Sequence, residues 1–281
     1  MADERRPVRR RDVEAVELDL LAEGIHEAYG FDFRQYSRPS FQRRVWRRVD
    51  AEGLHTITGL LERVLHDPDA LQRLLTELSI NVSAMFRDPG FFRVFREKVV
   101  PQLRTYPFLR VWNAGCATGE ETLSVAILLK ETGLYDRTRI YATDMNEATV
   151  NQARTRAYPI AKMREYTANY IAAGGTRSFS EYYVADGERV VFQPSLADNI
   201  VFAQHNLATD RSFNEFHVIM CRNVMIYFNR DLHERVHALL YDSLAHFGVL
   251  GLGARESIDF SGHSAAYETV DEDERLYRKI A

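Results

Sequence analysis

A chain of 281 residues can bury a substantial core, as one large domain or as one of ordinary size with a small partner, without help from disulfides. Forty acidic against thirty-six basic residues leave a formal net charge of -4, a near-balance that argues against a dedicated nucleic-acid coat or a polybasic membrane-surface protein. Cys116 and Cys221 stand far apart with no Cys/His ligand spacing, so neither a disulfide framework nor a metal site is expected. The N-terminal MADERRPVRRRD lacks the apolar stretch of a signal peptide, and no run approaches the roughly 18 apolar residues of a membrane span. A soluble cytoplasmic protein without membrane insertion is the expectation.

Residues 1–80 read as a helical domain. VEAVELDLLAEGIHEAYG, SFQRRVWRRVDAEG and DALQRLLTELSI repeat apolar residues at three- and four-residue intervals and break near Gly or Pro. Residues 81–107 form a junction. From 108 to 281 short β-branched and aromatic runs alternate with helical segments, the pattern of an α/β layer with a mostly parallel sheet. FLRVWNAG and RIYATD are its first strands, with GEETLSVAILLKETG as the helix between them and NEATVNQARTRA as the helix after. FSEYYVA, RVVFQP and NIVFAQH, with Asp186-Gly187 as a hairpin turn, predict a small antiparallel subdomain over about 176–205. FHVIMCRNV is a further strand, RDLHERVHALLYDSLAHFG a helix closing at Gly248, VLGLGARES a strand, and YETVDEDERLYRKI supplies the last one.

The most informative turn is Gly115-Cys116-Ala117-Thr118-Gly119-Glu120-Glu121, where a strand passes through glycines into a helix. Its G-x-x-x-G spacing matches neither the dinucleotide fingerprint nor the phosphate loop. Two carboxylates at the helix start repel a pyrophosphate but not a ligand bearing ammonium and sulfonium charge, which favours S-adenosylmethionine over NAD or ATP. Asp144 ends the second strand where a carboxylate can meet ribose hydroxyls; the plainer alternative is a residue capping the next helix.

Three runs, Asn81-Val82-Ser83-Ala84-Met85-Phe86-Arg87-Asp88, the loop ending Gly119-Glu120-Glu121, and Cys221-Arg222-Asn223-Val224-Met225-Ile226-Tyr227-Phe228, resemble in that order the chemotaxis receptor methyltransferases, the CheR family. The resemblance spans nearly the whole chain. It implies an all-α N-terminal domain followed by a class I S-adenosylmethionine-dependent (Rossmann-like) methyltransferase domain with a small antiparallel β subdomain. It also implies methylation of glutamate side chains on a chemoreceptor's cytoplasmic helical domain, with S-adenosylhomocysteine as by-product. Carried over by motif, Arg87 and Tyr227 stand at the transfer centre. Asn81, Ser83, Arg87, Glu121, Asp144, Asn206, Leu207, Arg222 and Asn223 contact the cofactor, Glu120 being the lesser alternative to Glu121.

The sequence departs from the family where Gly-His-Ser-Glu is replaced by Ala254-Arg255-Glu256-Ser257, a change expected to alter the acceptor face. The loop at Asp186-Gly187 is short, and no receptor-tail tether is expected there.

From Arg34 to Arg48 there is no acidic residue, and Arg43/Arg47 and Arg44/Arg48 are i,i+4 pairs. They read either as a solvated helix face or, with the resemblance, as a dock for an acidic receptor bundle. Trp46 alone gives little aromatic interleaving, so nucleic acid is not an expected partner. A monomer is expected. The rival readings are a methyltransferase of this fold acting on another acceptor, and a non-catalytic module sensing the cofactor or its product.

Overall fold

The computed structural model describes residues 10–79, 83–259 and 261–281. The chain divides into two compact units, Met1–Ile80 with Tyr227–Leu232, and Asn81–Ile226 with His233–Ala281.

The first unit is built on helices α1 (Arg10–Tyr29), α2 (Arg38–Ala51), α3 (Ile57–His66) and α4 (Pro68–Leu78). Each buries an apolar stripe at helical spacing: Leu18, Leu21 and Ile25; Phe41, Val45 and Val49; Ile57, Leu60 and Val64; Leu71, Leu74 and Leu78. Local chemistry starts two of them. The Thr56 hydroxyl accepts the Gly59 N–H at 3.0 Å, and the Asp67 carboxylate accepts the Asp69 N–H at 2.9 Å with Pro68 in the first turn. At the end of α2 the Glu52 carboxylate draws in Arg73 at 2.6 Å, Arg63 at 2.9 Å and Arg48 at 3.4 Å. Arg73 beside it, foremost, holds that carboxyl far below its usual range, at about 2. No helix among the described residues is long and apolar enough to cross a membrane.

The second unit holds a seven-stranded sheet in the order β6-β2-β1-β7-β8-β10-β9. Its strands are β1 (Leu109–Ala114), β2 (Thr138–Asp144), β6 (Ile200–Gln204), β7 (Phe216–Cys221), β8 (Leu244–Leu252), β9 (Tyr267–Asp271) and β10 (Leu276–Lys279). The five from β6 to β8 are parallel, while β10 and β9 close the sheet antiparallel. Helix α7 (Glu120–Glu131) joins β1 to β2, α8 (Glu147–Thr155) follows β2, and α10 (Arg230–Ser243) precedes β8. The parallel strands therefore deliver the ends of β1, β2, β6 and β7 to one edge, where such sheets place their ligands.

A three-stranded antiparallel sheet, β3-β5-β4, stands apart, made of β3 (Ala157–Pro159), β4 (Tyr183–Asp186) and β5 (Arg189–Phe192). Asp186-Gly187 does turn β4 into β5, with Gly187 at φ +60°.

Five expectations change. NIVFAQH does not join the small sheet: Ile200–Gln204 pairs parallel with β2 at the edge of the large one, and β3 takes its place. The helix read through Gly248 stops at Ser243, because Leu244 onward pairs in parallel with β7. YETVDEDERLYRKI is a hairpin of two strands, turned with Arg275 at φ +55°. Helix α9 (Met163–Ala172), which buries Met163, Tyr166 and Tyr170, fills a stretch left unassigned. The junction is itself helical: α5 (Pro89–Val94) passes through a π-helical turn (Phe95–Val99) into α6 (Val100–Leu103). Pro101 has no N–H to give the helical ladder, and the wide turn precedes it.

Candidate active site

Strand β1 is buried along most of its length, and Trp112, fully buried, donates its indole N–H to the Thr143 hydroxyl at 2.9 Å. At its end the N–H groups of Gly115 and Cys116 both reach the Thr143 carbonyl at 2.8 Å. The chain then turns through Gly115 (φ +77°), Ala117 (φ +47°) and Gly119 (φ +92°) into α7. A Cβ on Gly119 would lie 2.9 Å from Ala153 Cβ, so glycine is required for space as well as for φ.

The two acids after Gly119 part company. Glu120 is 2% exposed and turned inward, accepting the Thr118 hydroxyl at 2.6 Å and the Tyr166 hydroxyl at 3.2 Å. Glu121 keeps its side chain 13% exposed, accepting from Asn113 Nδ2 at 2.8 Å and Arg222 Nη1 at 2.7 Å. Asp144, 8% exposed at the end of β2, accepts the Ala117 N–H through one oxygen and the Asn146 N–H through the other, each at 3.0 Å. Burial pushes its carboxyl above the usual range, against the pull of those donors.

Arg222 follows β7 and is a buried hub. Its guanidinium donates to Glu121, to Asp88 at 2.9 Å and to the Arg87 carbonyl at 3.3 Å, and lies 4.0 Å from the centre of the Phe91 ring. With a side chain only 1% exposed, it supports Glu121 and the Arg87 turn. Arg87 itself sits between Phe86 (φ +51°) and Asp88 (φ +56°), two left-handed non-glycine residues. Backbone strain of this kind persists only where the surroundings enforce it. Here the Phe86 N–H is held by the Ser124 hydroxyl at 2.9 Å, with Phe86 and Met85 fully buried. Ser83 precedes this turn and is partly exposed, while Asn81 lies outside the described residues.

Asn223, at φ +61°, opens a turn held by one carboxylate. Glu256, 2% exposed, accepts the N–H groups of Asn223 at 2.8 Å, Val224 at 2.9 Å, Met225 at 2.8 Å and Gly253 at 2.7 Å. The expectation that Arg255-Glu256 reshapes an acceptor face is therefore corrected for Glu256, which points inward as the clasp of the Asn223 turn. Counted from Gly253, the run Gly253-Ala254-Arg255-Glu256 keeps the first and last residues of Gly-His-Ser-Glu, and only the middle pair differs.

After β6, the Asn206 side chain accepts the Ala208 N–H at 3.0 Å and its own N–H donates to Asp210 at 2.8 Å, which forms a tight turn with Leu207 8% exposed. In the second unit the structure thus joins the Arg87 carbonyl, Glu121 and Arg222 in one network, holds Asn223 separately on Glu256, and sets Asp144 against the glycine turn. Tyr227 packs within the helical unit. Of the α2 arginines, Arg43 and Arg47 are exposed, whereas Arg44 is half-buried and Arg48 turns in to Glu52. Asn113 and Tyr166 went unnoticed as site residues, and Glu256 was read only as a change at the acceptor face. A buried asparagine inside an apolar strand was the one available signal, since Tyr166 and Glu256 come from elements far along the chain. Cys116 and Cys221 are buried, and burial raises their thiols well above the usual range, as for packing rather than reactive cysteines. Among the described residues no cluster of His, Cys, Asp or Glu could hold a metal.

A parallel sheet with a glycine turn after one central strand, an acid closing its neighbour, and no cation from Gly115 to Glu121 to collect phosphates suits an adenosine that carries positive charge. Fold and site together define a class I methyltransferase. Residues 81–275 match the family described as "CheR methyltransferase, SAM binding domain" and residues 16–79 that described as "CheR methyltransferase, all-alpha domain". The chain belongs to the CheR methyltransferase family, and its cofactor is S-adenosylmethionine.

It is 48% identical over 264 residues to a Pseudomonas putida protein named "Putative methyltransferase Cher3", covering 94% of this chain and 97% of that one. It is 30% identical over 234 residues to a chemotaxis protein methyltransferase of Listeria innocua, covering 82% and 85%. With the chemotaxis protein methyltransferase of Salmonella typhimurium it shares 26% identity over 88% of this chain and 82% of that one. Among solved structures, the magnesium protoporphyrin IX methyltransferase of Synechocystis with bound S-adenosylhomocysteine aligns over 58% of this chain and 55% of its own, at 17% identity and a TM-score of 0.31.

Proposed function

We propose that the protein methylates glutamate side chains of a chemoreceptor, giving methyl esters. The observation that carries this reading is Glu121, tied through Arg222 to the carbonyl of an arginine set between two left-handed residues, with Asp144 holding the glycine turn at the end of β2. The named activity of the Listeria and Salmonella relatives supports the receptor as acceptor.

When bound, the cofactor supplies a methyl carbon on a positively charged sulfur. Asp144 takes the ribose hydroxyls, Asn206 and Leu207 flank the base, and Glu121 with the Asn223 turn receives the cationic amino-acid end. Asn81 and Ser83 contribute from the junction. A glutamate acceptor, with an unperturbed pKa of about 4.3, is already ionised at pH 7, so no general base is needed. Arg87 and Tyr227 serve as donors that orient the carboxylate. Alignment alone can supply about 7 to 11 kcal/mol of the barrier, and the union of opposite charges gains from excluding water. Arg43 and Arg47, exposed on α2, offer the cationic face to an acidic receptor helix.

The test is methyl transfer from radiolabelled S-adenosylmethionine to purified chemoreceptor cytoplasmic fragments. Label released by base as methanol is the expected result. Label that resists base points to another acceptor, and cofactor binding without turnover on any fragment points to a sensor; either overturns the reading.

A further inference from the structure

Tyr227 is fastened to the residues that lead into α2. The Ser37 N–H donates to the Tyr227 carbonyl at 2.7 Å, and the Asn229 N–H donates to the Gln35 carbonyl at 2.9 Å. Tyr36 and Phe228 form an antiparallel bridge with ring centroids 5.2 Å apart. The tyrosine ring is faced by Arg44, whose guanidinium carbon lies 5.2 Å from its centre. That guanidinium has a second anchor, because Nη1 donates to the Glu77 carbonyl in the last turn of α4 at 2.8 Å. The other arginines of the helix do different things. Arg47 has a side chain 64% exposed and only a loose pairing with Glu77 at 3.7 Å, Arg43 is exposed, and Arg48 belongs to Glu52. A half-buried cation fixed between a helix end and an aromatic face is badly placed to greet a partner and well placed to hold a ring.

We propose that Arg44 is a positioning residue for methyl transfer: anchored on α4 and set against the face of Tyr227, it keeps the tyrosine hydroxyl presented to the acceptor. Helix α2 thereby has two jobs on two faces, docking through Arg43 and Arg47 and arranging Tyr227 through Arg44. The proposal rests on the role given to Tyr227 above.

Docking and positioning separate in the kinetics, since lost docking raises KM at constant kcat whereas lost positioning lowers kcat. With a chemoreceptor cytoplasmic fragment as acceptor, Arg44→Gln is expected to lower kcat about tenfold. KM for the fragment and the calorimetric Kd for S-adenosylhomocysteine should stay within about twofold. Arg44→Lys, which keeps the charge, recovers part of the loss. In a Tyr227→Phe background Arg44→Gln costs little more, because the hydroxyl it would place is gone.

A raised KM with unchanged kcat, or full additivity in the double variant, overturns the proposal. Wild-type kcat in Tyr227→Phe alone overturns the tyrosine's role instead, a distinct result. If Arg44→Gln does not fold, Arg44→Lys decides by itself: a partial fall in kcat at constant KM supports positioning, and a rise in KM at constant kcat refutes it.

Discussion

Asp144 does two things with one carboxylate: it staples the glycine turn to β2 and, in the proposed function, offers oxygens to the ribose. Asp144→Ala should weaken S-adenosylmethionine binding at least about tenfold by calorimetry, the loss of a charged hydrogen-bonding partner; undiminished affinity would remove it from the site. Because burial raises its pKa, affinity should also fall as pH drops toward the upper edge of the carboxylate range. Glu256 is a different case, a carboxylate whose partners are four backbone N–H groups. Glu256→Gln sets an amide N–H₂ against donors and should cost about 2 to 4 kcal/mol of stability in urea unfolding; a wild-type midpoint would show that the Asn223 turn holds itself. Both residues were visible in the sequence, but only the place of Asp144, at a strand end beside the glycine turn, could be read from it. Asp144 was legible because strand, turn and acid are consecutive in type. Glu256 looked like surface variation because its donors come from residues 223 to 225, and no periodicity reveals a clasp between distant segments.

At the level of elements, the helices of the first unit and the strands flanking the glycine turn follow from local pattern, since each buries one face and the period shows which. Errors fell where pairing overrode that pattern. Leu244-Ala245 continues the helical period of α10, yet parallel pairing with β7 draws it into β8. Ile200–Gln204 reads as a strand either way, and only its partner, β2, says which sheet it joins. Helix α10 also carries a titratable liability. His237 is 2% exposed, and burial, with His233 6.2 Å away, presses its pKa from 6.5 to about 4. The unfolded chain binds this proton near pH 6.5 and the folded one only near 4, so stability present above 6.5 is lost as pH falls through that window. The loss amounts to about 3 kcal/mol. His237→Leu should flatten the pH dependence of unfolding between about pH 6.5 and 4 by up to about one proton; an unchanged slope would assign the acid sensitivity elsewhere.

Across the whole molecule, 36 basic and 40 acidic residues nearly cancel, so any electrostatic steering toward a receptor is local to α2. If Arg43 and Arg47 supply it, KM for a receptor fragment should rise with ionic strength while kcat holds, and Arg43→Gln with Arg47→Gln should flatten that rise. Salt-independent KM in the unaltered protein would remove α2 from docking. The sequence by itself determined the two kinds of architecture, the cofactor class and the family, because periodicity, glycine placement and short motifs act between residues close in the chain. Tertiary structure alone decided which arginine faces solvent and which faces Tyr227, that Arg222 is a buried support, and that Glu256 clasps a turn. These depend on which segments meet across the fold, where burial and the partner's hydrogen-bonding groups, rather than residue type, set what a side chain can do.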